Sequence, residues 1–231
     1  MIGEELLKQI QDGPGVVVFV DKPAGMSSFG VVARVRKQLS RALGHKVKVG
    51  HTGTLDPFAT GLLIIVAGKM TKRAGEFSKL DKAYEATFVL GAQSSTGDPE
   101  GEIEIKDEKP NFSEEEILRA VEKNTGEIEQ KPPIFSAIKI DGQRAYKLAR
   151  AGQKPEMPTR KVNIYGIEVL SWQSPELKIR AEVSSGTYIR SLAEDIAKSL
   201  GTVAYTKELR RIRVGEYDLS ELEKSNRCLH L

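Results

Sequence analysis

One stretch of this sequence combines residue types that do chemistry with residue types that bend a chain: Gly50-His51-Thr52-Gly53-Thr54-Leu55-Asp56-Pro57. Pro57 biases Asp56 toward an extended backbone and removes a donor beside it. The glycines allow a ligand to approach the backbone closely. A carboxylate held on such a loop could serve as a nucleophile or a general base. Asp-Pro and Gly-Thr are also ordinary turn letters, and on local chemistry alone a plain turn is the commoner reading of such a segment. A second candidate is Ser185-Gly186-Thr187-Tyr188-Ile189-Arg190, which leads into a helix. Arg190 would fall in the first turn, where a cation opposes the helix dipole unless an anion lies beside it. Asp56 is one such partner, because a guanidinium grips a carboxylate in two places. A solvent-exposed arginine is the plainer alternative. The third candidate is Lys82-Ala83-Tyr84, whose tyrosine offers a ring to stack on a base and a hydroxyl for proton transfer, or else joins a core.

These segments need elements to position them. Val16 to Val20 is an apolar β-branched run, and Leu62 to Val66 is another, so a strand is predicted on each side of the Asp56 loop. Ser27 or Ser28 caps a helix with apolar positions Val31, Val32, Val35, Leu39 and Leu43. A short strand is expected at Val47 and Val49, a helix over Met70–Lys79 and a strand over Tyr84–Leu90. Ser113 and Glu116 make a capping box for a helix that ends near Gly126. Ile134, Ile138 and Ile140 suit a strand that ends at the turn pair Asp141-Gly142. A short basic helix (Arg144 to Ala151), strands over Val162–Leu170 and Leu177–Val183, a helix over Tyr188–Leu200 and a strand region over Leu209–Val214 complete the chain. Strands follow strands without regular helix alternation, which predicts an α+β fold with a largely antiparallel sheet. No repeat or linker marks a boundary, so residues 1–231 are expected to form a single domain.

Composition bounds the function. The 231 residues are 39% hydrophobic and 29% charged, an ordinary globular balance. No apolar run approaches the ~20 residues of a membrane span, and the start, Met1-Ile2-Gly3-Glu4-Glu5, is acidic rather than signal-like. Cys228 is the single cysteine, so no internal disulfide forms and the cytoplasm is the expected compartment. His45, His51 and His230 are scattered, which offers no Cys/His zinc site. Net charge is +3, but its distribution is uneven. Lys22 to Leu55 carries Lys22, Arg34, Arg36, Lys37, Arg41, Lys46 and Lys48 with no acid. Gln130 to Asn163 holds 8 basic residues against Asp141 and Glu156, whereas Asp98 to Glu129 holds 12 acidic against 4 basic. If the basic segments share a face, that face attracts a polyanion; solvated helix faces of varying sign are the alternative.

Taken together, the motifs resemble the TruB family of pseudouridine synthases. Lys22-Pro23 with Gly25 and Ser27-Ser28, the Gly50–Pro57 stretch with Ala59-Thr60-Gly61, Lys82 with Tyr84, Ser185–Arg190, and Leu209-Arg210-Arg211 match five family motifs in order. The resemblance implies a pseudouridine synthase fold: an α+β domain with a central, largely antiparallel sheet flanked by helices. It also implies isomerisation of a tRNA T-loop uridine (position 55) with neither cofactor nor metal. In that reading Asp56 attacks the target nucleoside and Arg190 pairs with it. Tyr84 stacks on the flipped base, with proton transfer as a second role. Leu209 packs beside the base, His51 wedges into the RNA loop, and Lys22 and Pro23 support the active-site loop, Lys22 also counting among the RNA-contacting residues. Attack at C1′, attack at C6 and elimination remain open.

The segment Gln130–Gly152 resembles the family's bacterial thumb loop, an insertion of about residues 130–160. Lys139, Arg144, Lys147 and Arg150 would contact the T-arm from it. This favours a stand-alone enzyme, a monomer without an obligatory protein partner or membrane, over an RNA-guided synthase or a non-catalytic RNA chaperone; a chaperone role can coexist with catalysis. Two departures stand out. The family's Thr-Asp-Thr run reads Ser94-Ser95-Thr96 here, with Asp98 and Gly101 retained. The length leaves no room for the C-terminal PUA domain of many members, from which weaker tRNA affinity with intact chemistry is expected.

Overall fold

The computed structural model of the chain describes residues 4–225 and 228–230. The acidic start is therefore seen from Glu4 onward, and its first three residues lie outside the described residues. The chain forms two compact units, Met1–Tyr84 with Arg210–Leu231, and Glu85–Leu209. The second is thus inserted in the sequence of the first.

The chain enters the first unit through α1 (Glu4–Gln11), β1 (Val16–Lys22), α2 (Ser28–Leu43), β2 (Val49–His51) and β3 (Thr60–Ala67). Ser27 is the N-cap of α2, accepting from the Gly30 N–H at 3.0 Å, and Gly44 closes the helix in the left-handed region. One helix is expected over Met70–Lys79. Instead a 3₁₀ turn, Gly68–Arg73, precedes a five-residue α3, Ala74–Ser78. The Thr71 hydroxyl donates to the Gly68 carbonyl three residues back, and Gly75 weakens a continuous α-helix. β4 (Lys82–Leu90) then carries the chain across the division.

The second unit contains β5 (Ala92–Ser94), β6 (Ile103–Ile105), α4 (Glu114–Lys123), β7 (Gly126–Gln130), β8 (Lys139–Ile140), β9 (Gln143–Arg144), α5 (Ala145–Arg150), β10 (Arg160–Gln173), β11 (Glu176–Val183) and α6 (Ile189–Ser199). The capping box of Ser113 and Glu116 starts α4 as expected. The strand expected through Ile134 shrinks to Lys139–Ile140. Pro132 and Pro133 withdraw two ladder donors, and the Ser136 N–H turns back to the Ile134 carbonyl at 2.9 Å. β8 and β9 form a hairpin at Asp141 and Gly142, both at positive φ (49° and 82°), as that turn pair requires. α4 and α6 pack together and bury Ile117, Ala120 and Val121 from one and Ile189, Leu192, Ala193, Ile196 and Ala197 from the other.

β12 (Ala204–Val214) returns the chain to the first unit, followed by β13 (Tyr217–Asp218), α7 (Leu219–Lys224) and β14 (Cys228–His230). In the first unit β3 is central. It pairs antiparallel with β1 from Val16↔Ala67 to Lys22↔Gly61, antiparallel with β2, and parallel with β12 at Arg210↔Thr60 and Arg211↔Gly61. β14 lies parallel to β1. In the second unit β10 pairs antiparallel with β11 and β7, with register shifts at Ile164/Gly166 and Val169/Ser171. Antiparallel pairings thus predominate within each unit. One face of β1 and β3 supplies Phe19, Leu62 and Ile64 to a core closed by Val214, Leu219, Leu222 and Cys228. Among the described residues no helix is long and apolar enough to cross a membrane.

Candidate active site

The Asp56 loop connects β2 to β3, and its backbone is gripped by side chains rather than left as an open turn. Ser27 already caps α2, so the Ser28 hydroxyl is available for a longer reach. It accepts from the Leu55 N–H at 2.8 Å and donates to the Leu55 carbonyl at 2.9 Å. Two residues on, the Pro57 carbonyl accepts from Lys22 Nζ at 3.1 Å and from the Gly25 N–H at 2.8 Å. Two residues back, the Gly53 carbonyl accepts from Arg211 Nη2 at 3.1 Å, while Arg211 Nε donates to the Leu62 carbonyl at 2.7 Å. The carbonyls of residues 53, 55 and 57 are therefore each fixed by a buried side chain from a different element. Asp56, half-buried, sits inside this clamp, and its own carbonyl accepts from the Ala59 N–H at 3.1 Å. The Thr52 N–H and hydroxyl both donate to the Ile64 carbonyl.

Lys22 is 0% exposed, and its ammonium also donates to the Pro23 and Met26 carbonyls at 2.9 and 2.6 Å. This corrects the expectation that Lys22 touches RNA, because a wholly buried ammonium engaged by three carbonyls supports the loop instead. His51, half-buried, heads the loop at the end of β2. Tyr84 is buried on β4, two residues after Lys82, another buried cation. Lys82 donates to the Ser78 carbonyl at 2.7 Å and to the Leu80 carbonyl. Burial, and secondarily the Arg211 guanidinium, lowers its pKa to about 8 against the opposing pull of Asp81.

In the second unit Arg190 lies at the start of α6 and is only 3% exposed, so it is not the exposed arginine of the alternative reading. Its Nη1 donates to Asp98 Oδ2 at 3.0 Å and to the Thr96 carbonyl at 2.8 Å, and its Nη2 to the Phe135 carbonyl at 2.8 Å. Asp98 in turn accepts from the Thr96 hydroxyl at 2.6 Å and from the Glu100 N–H at 3.1 Å. One guanidinium thus ties the loop after β5 and the segment after Pro133 to α6. Gln130 makes a matching link, accepting from the Tyr188 N–H and donating to the Tyr188 carbonyl. Glu194, on the same helix, has its pKa raised by burial and by Asp195, with Arg190 opposing. Leu209 is buried on β12. Lys139, Arg144, Lys147 and Arg150 are all exposed around the β8–β9 hairpin and α5.

The sequence reading assigned no role to Arg211 or Asp98 and offered Ser28 only as an alternative helix cap. Ser27-Ser28 held a usable signal, since one serine suffices for a cap. Arg211 shares strand parity with buried Leu209, and Asp98 is one of two acids, with Glu100, in the Gln93–Gly101 segment.

The chain is similar to known proteins over most of its length. A family model described as TruB family pseudouridylate synthase (N terminal domain) matches residues 40–189. The tRNA pseudouridine synthase B of Phocaeicola vulgatus is 46% identical over 208 residues, covering 90% of this chain and 88% of that protein. Its namesake in Flavobacterium johnsoniae is 44% identical over 207 residues, covering 89% and 90%. Among solved structures, a chain of a Cbf5–Nop10–Gar1 complex aligns over 99% of this chain with a TM-score of 0.71 and 29% identity. This chain spans about half of that one, 54%. With a family model over most of its length, two such relatives and this fold, the chain belongs to the TruB family of pseudouridylate synthases.

Proposed function

We propose that the protein is a tRNA pseudouridine synthase that converts the T-loop uridine at position 55 to pseudouridine, with Asp56 as the essential carboxylate. The clamp around the Asp56 loop carries this reading: three buried side chains hold the carbonyls of Gly53, Leu55 and Pro57, which fixes the backbone on both sides of one carboxylate. A group that must meet a reacting atom in a defined geometry needs such preorganisation; a plain turn does not. The relatives' names supply the substrate class.

The isomerisation breaks the N1–C1′ bond, rotates the uracil in place, joins C5 to C1′ and releases the C5 hydrogen as a proton, while N1 takes up a proton. Asp56 acts on the nucleoside once the base has left its stack, a step that costs a few kcal/mol. Tyr84 stacks on the flipped base and Leu209 packs beside it. Arg190 is a further residue of the catalytic set, and His51 wedges into the RNA loop. Lys139, Arg144, Lys147 and Arg150, exposed on the thumb-like insertion of about residues 130–160, meet T-arm phosphates. The protein works as a cytoplasmic monomer without guide RNA or protein partner.

The test is tritium release from a T-arm stem-loop labelled at C5 of its uridines, with no guide and nothing else added. Wild type is expected to release tritium from the T-loop uridine alone, and Asp56→Asn to release none. Release only after a guide complex is added would replace this reading with the RNA-guided one. Binding without release would leave a chaperone.

A further inference from the structure

Some surface cations of this molecule have carboxylate partners. Arg73 pairs with Glu76, Lys161 with Glu127, Lys207 with Glu176 and Arg180 with Glu85. α2 and the segment after it carry a run of cations with no acid among them. Among the described residues Arg34, Arg36, Lys37, Arg41, Lys46 and Lys48 make no ion pair with a carboxylate, and no acidic residue occurs between Lys22 and Leu55. At about 100° per residue, Arg34, Lys37 and Arg41 form one stripe opposite the buried positions Val31, Val32, Val35 and Leu39. Arg34 and Arg41 stand two turns apart, about 10 Å along the axis. On the flank of this stripe Phe29 is 66% exposed, with the Arg36 guanidinium 5.8 Å from its ring centroid.

We propose that this outer face of α2 is an RNA-binding surface, distinct from the thumb-like insertion. Arg34, Lys37 and Arg41 would bind consecutive phosphates, and Phe29, backed by Arg36, would stack on an unpaired base. Three features favour RNA over an acidic protein. Unpaired like charges on one helix repel one another and are stabilised by a polyanion that displaces their counterions. A large aromatic ring exposed beside a guanidinium suits the π-face of a base. The basic run continues through exposed Lys46 and Lys48 to His51, at the head of the Asp56 loop, so a strand following it arrives at the catalytic segment. The inference rests on the RNA-modifying function proposed above.

The test measures tRNA affinity against salt for three proteins: wild type, Phe29→Ala, and a triple variant with Arg34→Gln, Lys37→Gln and Arg41→Gln. The triple variant is expected to bind at least about tenfold more weakly at 0.1 M salt. The slope of log K against log salt should shrink by about 2 to 3, one phosphate per lost cation. Phe29→Ala should weaken binding about fivefold or more without changing the slope. A charge-conserving triple, Arg34→Lys, Lys37→Arg and Arg41→Lys, should retain affinity, which separates lost charge from a damaged helix. If the neutral triple matches wild type in both affinity and slope while wild type still modifies tRNA, the surface proposal is overturned and the function stands. If wild type neither binds nor modifies tRNA, the functional reading fails, and this inference with it.

Discussion

The Ser28 hydroxyl and the Leu55 peptide hold one another by two hydrogen bonds, 2.8 Å from the N–H and 2.9 Å to the carbonyl, across 27 residues of sequence. Both partners are buried, so nothing from solvent replaces these bonds when they are lost. Ser28→Ala therefore strands a buried donor and a buried acceptor, at roughly 1–3 kcal/mol of stability. Because Leu55 adjoins Asp56, kcat is expected to fall together with the unfolding free energy. Urea unfolding beside single-turnover kinetics checks this; unchanged turnover would mean that the clamp does not govern the carboxylate.

Arg190 and Asp98 are 3% and 4% exposed and 3.0 Å apart. Removing one partner of such a buried pair leaves an under-compensated charge, at about 3 kcal/mol or more. Asp98→Ala is expected to lower stability by about that amount and to loosen the Phe135 segment, which the same guanidinium holds. Thermal unfolding and amide exchange around Phe135 report on both. A loss below about 1 kcal/mol would show that other partners of Arg190 suffice.

Lys82 gives a pH signature with a definite sign. Its pKa is about 8 when folded, below the ordinary lysine value of 10.5, so between these pH values the unfolded chain binds more protons than the native one. The cost of burying the ammonium is fully present below about pH 8 and is relieved as pH rises from there toward 10.5. Relative to Lys82→Met, wild type should gain stability across that window, at up to roughly 1 kcal/mol per pH unit. Denaturant midpoints of both proteins from pH 7 to 10 measure it, and a constant difference would refute the assignment.

Gly61 ends the catalytic motif at φ +100°, and a Cβ there would lie 2.3 Å from the Arg211 carbonyl oxygen and 2.7 Å from its nitrogen. Both are backbone atoms, so no side chain can swing aside. Gly61→Ala should destabilise by more than about 2 kcal/mol and reduce activity as well, because the displaced strand carries the arginine that holds Gly53. Circular dichroism melting with an activity assay tests the pair of effects.

The sequence reading located most of the strands and helices to within a few residues because their apolar patterns are strong, as at Val16 to Val20 and in α2. It missed short elements, among them α1, β5, β6, β7, β13, α7 and β14, and it overextended the strand near Ile134, where apolar letters outweighed the Pro132-Pro133 signal. At the site, the motif letters mark Asp56, Tyr84 and Arg190 as noteworthy. They do not reveal that Ser28 and Arg211 reach the Asp56 loop, since both contacts span long stretches of chain that no local pattern encodes. Nor do they show Lys22 facing inward, because a lysine's ordinary place is the surface.

The distance in sequence between the loop and its last support has a consequence for the nascent chain. Arg211 holds carbonyls that lie 149 and 158 residues before it. A ribosome delivers the Asp56 loop early and its arginine only after the whole inserted unit has been made, at about 5–20 residues per second. For several seconds the loop exists without one of its three holds. Under the function proposed above, a chain that stops short of Arg211 is expected to present Asp56 without this hold and to modify no RNA.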